Sequence, residues 1–218
     1  MKNELTKRVL SSIIIIPISI FFVFKGSFLF ILFLLLLFLI SLYEWFTIAK
    51  KTFLKIFGII FLIFSLYSCY NLREYEISSF LFIIIICVST DIGGYFFGKF
   101  FKGPKLTQIS PKKTYSGAAG SFILSILNSF FYLGFFKENN FYNYDFNHYY
   151  EVVLLILIIS SISQIGDLII SYFKRLSKIK DTGRLFPGHG GLLDRIDGMI
   201  FVFPFTYLIY KKDILFLF

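Results

Sequence analysis

The sequence predicts an all-α, polytopic membrane protein of about seven transmembrane helices, with its charged groups gathered at one side. Three observations carry that prediction. Hydrophobic residues make up 57% of the 218, and mean hydropathy is +0.78, whereas soluble domains are roughly 45–50% apolar. Apolar runs recur near the length of about 20 helical residues that crosses a hydrocarbon layer of about 30 Å. Lys and Arg are concentrated on alternate connections between those runs.

The first candidate span, 9–24, follows Lys7 and Arg8. No small-residue cleavage site ends it, and Lys25-Gly26-Ser27 leads into more apolar sequence, so it reads as a retained span. The second, 27–46, closes on Leu42-Tyr43-Glu44-Trp45, an interfacial acid beside an aromatic anchor. The third and fourth, 54–70 and 77–98, hold Cys69 and Cys87. Neither cysteine has a spaced Cys or His partner, so both read as apolar packing rather than a metal or disulfide framework. Asp91 lies inside the fourth span, with Tyr95 and Gly98 at i+4 and i+7. The connection that follows contains Ser110-Pro111-Lys112-Lys113-Thr114-Tyr115-Ser116-Gly117, whose adjacent lysines suit a phosphate or an anionic headgroup. The fifth span is 115–136. After a polar loop, 137–149, in which His148 reads as solvated, come the sixth and seventh, 151–172 and 197–210.

With the N-terminus in the cytoplasm, seventeen Lys and Arg fall on that side and five on the other, as the positive-inside rule expects. The net charge of +9 is therefore a topology signal and gives no reason to expect a nucleic-acid partner. No polar segment is long enough to bury a second core. The chain reads as a single membrane-embedded domain, 1–218, with N-terminal helices over 1–75 and the chemistry-bearing part over 77–210.

Residues 167–198 place four Asp, seven Lys, Arg or His and five Gly in 32 positions. In the sixth span Ser160, Ser163, Gln164, Asp167, Ser171 and Lys174 recur at three- and four-residue steps, which puts them on one helix face. That face must meet protein or water, since polar groups are costly against lipid. Asp167, about two turns inside the end marked by Lys174 and Arg175, needs a cation: a basic side chain or a metal ion. Downstream, Gly188, Gly190 and Gly191 flank His189, so backbone N–H groups can approach an anion closely. Asp194 and Asp197, three apart at the start of the seventh span, are hard oxygen donors. Without neighbouring Cys or multiple His, they favour magnesium over zinc.

The run Ser171-Tyr172-Phe173-Lys174-Arg175, then Lys180-Asp181-Thr182-Gly183, then Phe186-Pro187-Gly188-His189-Gly190-Gly191-Leu192-Leu193-Asp194-Arg195-Ile196-Asp197 resembles the signature of phosphatidate cytidylyltransferases (CDP-diacylglycerol synthases). Gln164 to Asp167, Asp91 with Tyr95 and Gly98, Ser110 to Thr114 with Gly117, and Glu44-Trp45 resemble further family segments in the expected order. The chain is short for the family near its N-terminus, and Ser116 stands where an acidic or amide side chain is common.

The resemblance implies transfer of the cytidylyl group of CTP to phosphatidate, giving CDP-diacylglycerol and pyrophosphate. It implies a multi-pass protein of a bacterial inner membrane with its site facing the cytoplasm. Its partners would be CTP and bilayer phosphatidate, and it is compatible with a homodimer. Asp167, Asp194 and Asp197 would hold one or two metal ions, magnesium being expected. Lys174, Arg175, Lys180 and Arg195 would neutralise phosphates. Ser110, Lys112, Lys113, Thr114, Asp181, His189, Gly190 and Gly191 would line the substrates. An ion-coupled transporter would also carry Asp91 and Asp167, but it has no use for carboxylates interleaved with basic residues and glycines at one membrane edge. A CDP-alcohol phosphotransferase needs further acids after Asp197-Gly198, where this chain has Met199-Ile200-Phe201-Val202.

Overall fold

A computed structural model describes residues 15–137, 149–183 and 190–211. The helices are α1 (Ile15–Lys25), α2 (Ser27–Ile48), α3 (Thr52–Tyr75), α4 (Ile77–Phe101), α5 (Tyr115–Lys137), α6 (Tyr149–Leu176), α7 (Leu193–Ile196) and α8 (Met199–Lys211). Among the described residues there is no strand, and the fold is all-α as the sequence predicts. Helices α2 to α6 are long and apolar enough to cross a membrane, while α1 and α8 are apolar but shorter. The described part of the first expected span is α1; residues 9–14 lie outside the described residues, as do His148 and His189.

Local signals explain the helix ends. Thr114 Oγ1 accepts the Gly117 N–H at 3.1 Å and caps the start of α5. Helix α6 has Glu151 in its first turn and Lys174 and Arg175 in its last, the arrangement that complements a helix dipole. Past the end of α4, Lys102 and Gly103 both take positive φ, 53° and 103°. The seventh expected span starts at Met199 rather than 197. Asp197 and Gly198 form a turn that splits the one-turn helix α7 from α8.

In lipid there is little hydrophobic force between helices, so close approach through small residues matters most. Helices α4 and α5 meet that way: a Cβ on Gly93 would lie 2.5 Å from the Gly120 carbonyl oxygen, and one on Gly117 2.7 Å from that of Gly94. The α6 polar stripe turns inward, with Ser160, Ser163, Ser171 and Lys174 buried. Thr90 Oγ1 on α4 donates to Ser160 Oγ at 2.8 Å. Two apolar clusters fill the interior. Phe30, Phe80, Phe82, Ile86, Ile156, Ile159 and Val202 form part of one. Trp45, Ile48, Leu62, Ile170, Leu193 and Ile200 form part of the other, beside the charged end of α6. Trp45 is an interhelix anchor rather than an interfacial one: it is buried, donates from Nε1 to the Leu54 carbonyl at 3.1 Å and packs edge-on against Phe173. Large side chains such as Phe53, Phe57, Phe100, Phe101 and Phe131 face outward, as lipid contact requires. Both cysteines are buried and free.

Candidate active site

Two charged centres lie at the end of the bundle where α4 and α6 finish. The first is built from three carboxylates. Asp91 and Asp167 sit ten and nine residues before the last residues of α4 and α6, about 15 and 14 Å along the helix axes. Asp197 is brought beside them because Gly166 and Gly198 let α6 and the α7–α8 turn touch. A Cβ on Gly166 would meet Phe201 and the Asp197 carbonyl, and one on Gly198 would meet Ser163. Asp91 lies within electrostatic reach of Asp167, Lys113 and Arg195. Asp197 is within reach of Asp167, Asp91 and Lys174, its carboxyl in hydrogen-bonding range of that of Asp167. Asp91 is exposed, Asp167 half-buried and Asp197 buried at 7%, so the row runs from an accessible face into the protein.

One cation is already there. Lys113, at the end of the 102–114 connection, places Nζ 2.5 Å from Asp167 Oδ2, and Ser171 Oγ donates to Asp167 Oδ1 at 3.3 Å. The cation that Asp167 was expected to need is thus Lys113, from a segment that the sequence marks only as a phosphate-binding candidate. Asp91, which the sequence places in a separate polar cluster, faces the same group.

The second centre is organised around Asp194, and both its oxygens are engaged. Oδ1 takes Lys174 Nζ at 2.7 Å; Oδ2 accepts the N–H groups of Thr182 at 2.8 Å and Gly191 at 3.1 Å. The expected set Asp167, Asp194 and Asp197 is therefore divided, with Asp194 turned to the loop and Asp167 and Asp197 facing each other. Among the described residues no three Asp, Glu, His or Cys side chains form a group able to hold a metal ion. Gly190 has φ +86°, a conformation that disfavours side chains, and a Cβ there would lie 2.9 Å from Asp194 Oδ2. Gly191 leaves no room for a side chain beside Thr182 and Glu44.

The other expected residues divide by role. Arg175 donates to the carbonyls of Ile109 and Ile179, at 3.3 and 3.2 Å, and so fastens the 102–114 connection to α6. Ser110 accepts from Lys113 N at 3.0 Å within a turn, and Thr114 is the α5 cap. Lys112, Lys180, Asp181 and Arg195 are exposed around the centre.

Fold and site define a class: a polytopic helical membrane protein with a carboxylate and lysine centre near one end of its helix bundle. The Cytidylyltransferase family model matches residues 52–212. The chain is 31% identical over 203 residues to a phosphatidate cytidylyltransferase of Rickettsia conorii, covering 91% of this chain and 88% of that protein. Against the protein of that name from Rickettsia felis it is 32% identical over 220 residues, covering 95% and 93%. With the Bacillus subtilis phosphatidate cytidylyltransferase it shares 36% over 140 residues, 64% of this chain and 49% of that protein. The chain belongs to the Cytidylyltransferase family.

Proposed function

We infer that this chain transfers the cytidylyl group of CTP to phosphatidate, releasing pyrophosphate and leaving CDP-diacylglycerol in the membrane. The observation that carries the reading is the family match, which spans Asp91, Asp167 and Asp197 together with Lys113 and Lys174. A phosphatidate oxygen attacks the α-phosphorus of CTP, and the bond from that phosphorus to the bridging oxygen of the β-phosphate breaks. The nucleophile is already anionic, so the barrier is repulsion between two anions, and catalysis rests on placement and charge neutralisation.

The residues present fit a divalent cation, and magnesium is the ion we propose. Asp167 and Asp197 supply hard oxygens facing each other, like charges that repel unless a cation stands between them. Lys113 already supplies positive charge to Asp167, the kind of neutralisation that the metal ion would extend to Asp197. Magnesium commonly uses one or two carboxylates and completes its shell with phosphate oxygens and water. Asp167 and Asp197 would hold it, with Asp91 adjacent, and when bound it would neutralise charge on the α-phosphate and the departing pyrophosphate. Lys112, Lys113, Lys180 and Arg195 would meet the remaining phosphate charge, and Asp194 with Lys174 would hold the loop that presents them. The site would face the cytoplasm of a bacterial inner membrane, the side that the lysine distribution favours.

Purified protein in phosphatidate vesicles should convert labelled CTP to CDP-diacylglycerol when magnesium is present and stop when it is chelated. No product with magnesium present would overturn the substrates, and full activity after exhaustive chelation would overturn the cation. Lys180→Cys should react with an impermeant maleimide from the cytoplasmic side, and labelling from the opposite side would reverse the orientation.

A further inference from the structure

Glu44 is 2% exposed and lies outside the residues matched by the family model, 52–212. It stands near the end of α2, yet all three donors to its carboxylate come from the far end of the chain. Oε1 accepts the Leu192 N–H at 2.8 Å. Oε2 accepts the Leu193 N–H at 2.8 Å and the Thr182 hydroxyl at 2.6 Å. Thr182 gives its own N–H to Asp194, so the two carboxylates grip one residue from opposite sides. Thr47 Oγ1 adds a bond to the Thr182 carbonyl at 3.4 Å. Ser177 Oγ donates to the Ile48 carbonyl, fixing the end of α2 to the segment after α6. Gly183 and Gly191 keep their Cβ positions clear for this carboxylate: a Cβ on Gly183 would lie 2.6 Å from Glu44 Oε1.

We propose that Glu44 is a positioning residue for the nucleotide side of the site: it ties Thr182 and the 191–193 backbone to the end of α2, and so presents the adjoining Lys180, Asp181, Gly190 and Gly191 to CTP. The proposal rests on the reaction inferred above only in naming CTP as the ligand. A carboxylate suits the place because every atom facing it is a donor, and a buried polar group left unpaired is costly. Glutamine keeps the shape but has one acceptor oxygen. Whichever way its amide turns, the NH2 group faces a backbone N–H.

The test is Glu44→Gln in the full chain, with two readouts. KM for CTP should rise about tenfold or more, the loss expected when a hydrogen bond to a charged group is removed, while KM for phosphatidate moves less than about twofold. Amide exchange at Leu192 and Leu193 should accelerate by about tenfold, with α4 and α5 unchanged. Thr182→Val removes the hydroxyl alone and should give a smaller rise in the KM for CTP. Added to Glu44→Gln it should cost little more, because both act through one network. Unchanged exchange at 192–193 in Glu44→Gln, or acceleration spread evenly over all helices, overturns the proposal. So does an equal rise in both KM values. If the wild-type chain makes no product from CTP and phosphatidate, the substrate reading fails, while exchange and direct CTP binding still decide the clamp. If Glu44→Gln does not accumulate, Thr182→Val carries the same readouts.

Discussion

The two charged centres use the same residue types in opposite ways. Around Asp194 and Glu44, each carboxylate oxygen meets an ammonium, a hydroxyl or a backbone N–H. Around Asp167 and Asp197, two carboxyl groups face each other and a third stands nearby, with Lys113 against Asp167 and within reach of Asp91, and Lys174 within reach of Asp197. Satisfied carboxylates hold backbone in place. Carboxylates aimed at one another are where the proposed cation would sit, and the accessible Asp91 end would give it a route in. The proposed division of scaffold from chemistry rests on this contrast rather than on charge density.

Asp194→Ala should break the contrast most severely. Removing one partner of a buried ion pair costs about 3–5 kcal/mol, and the Lys174 and Asp194 side chains are only 10% and 8% exposed. Thermal unfolding in detergent should show that loss, and Lys174→Met with Asp194→Leu should recover most of the stability while activity stays low. Asp167→Asn should do the reverse: turnover down on the order of 100–1,000-fold, as for loss of a group that stabilises transition-state charge, with unfolding little changed. If Asp167→Asn kept near-full turnover, the cation site would be misplaced.

Two milder variants sharpen the comparison. Lys113→Met removes the positive charge against Asp167. A partly exposed pair is worth roughly 1 kcal/mol, so half-saturation by magnesium should fall about fivefold while turnover drops. An unchanged magnesium requirement would mean that lysine and metal do not compete. Thr114→Val should cost about 1 kcal/mol of stability through the lost α5 cap, with KM for CTP unaffected. A rise in that KM would return Thr114 to substrate contact.

Much of this was legible in the sequence because the signals are local. Apolar length marks α2 to α6, and a three- and four-residue spacing marks the face of α6 that carries Asp167 and Lys174. Asp194 and Asp197 do lie on continuous helical backbone, Asp197 itself being αR. Spacing alone gave no sign that Asp194 would take the Thr182 and Gly191 N–H groups while Asp197, just before the turn where Gly198 admits Ser163, meets Asp167. Asp91 stands in another span, and its approach to Asp167 depends on packing of α4 against α6, as in the Thr90–Ser160 hydrogen bond between residues seventy positions apart. Glu44 was legible as an interfacial acid in a family-like Glu44-Trp45 pair, but its partners were not. Two of its three partners are backbone N–H groups, which every residue except proline carries, so no side-chain pattern at 192 and 193 could announce them. Gly191 did signal a close approach, but its neighbours are Thr182 and Glu44 rather than a ligand alone.

The Glu44 clamp also has a consequence for how the protein is made. Its carboxylate emerges from the ribosome 148 residues before the Leu192 amide that it binds. Over that interval the end of α2 carries an acid without its final partners, and the loop that seals it arrives only after α3 to α6. Completion of the site is therefore a late event in membrane insertion, set by arrival of the 182–193 segment rather than by the helices already in the bilayer. A nascent chain arrested after residue 180 should leave Glu44 open to a water-soluble carboxyl reagent, and release of the full chain should close it.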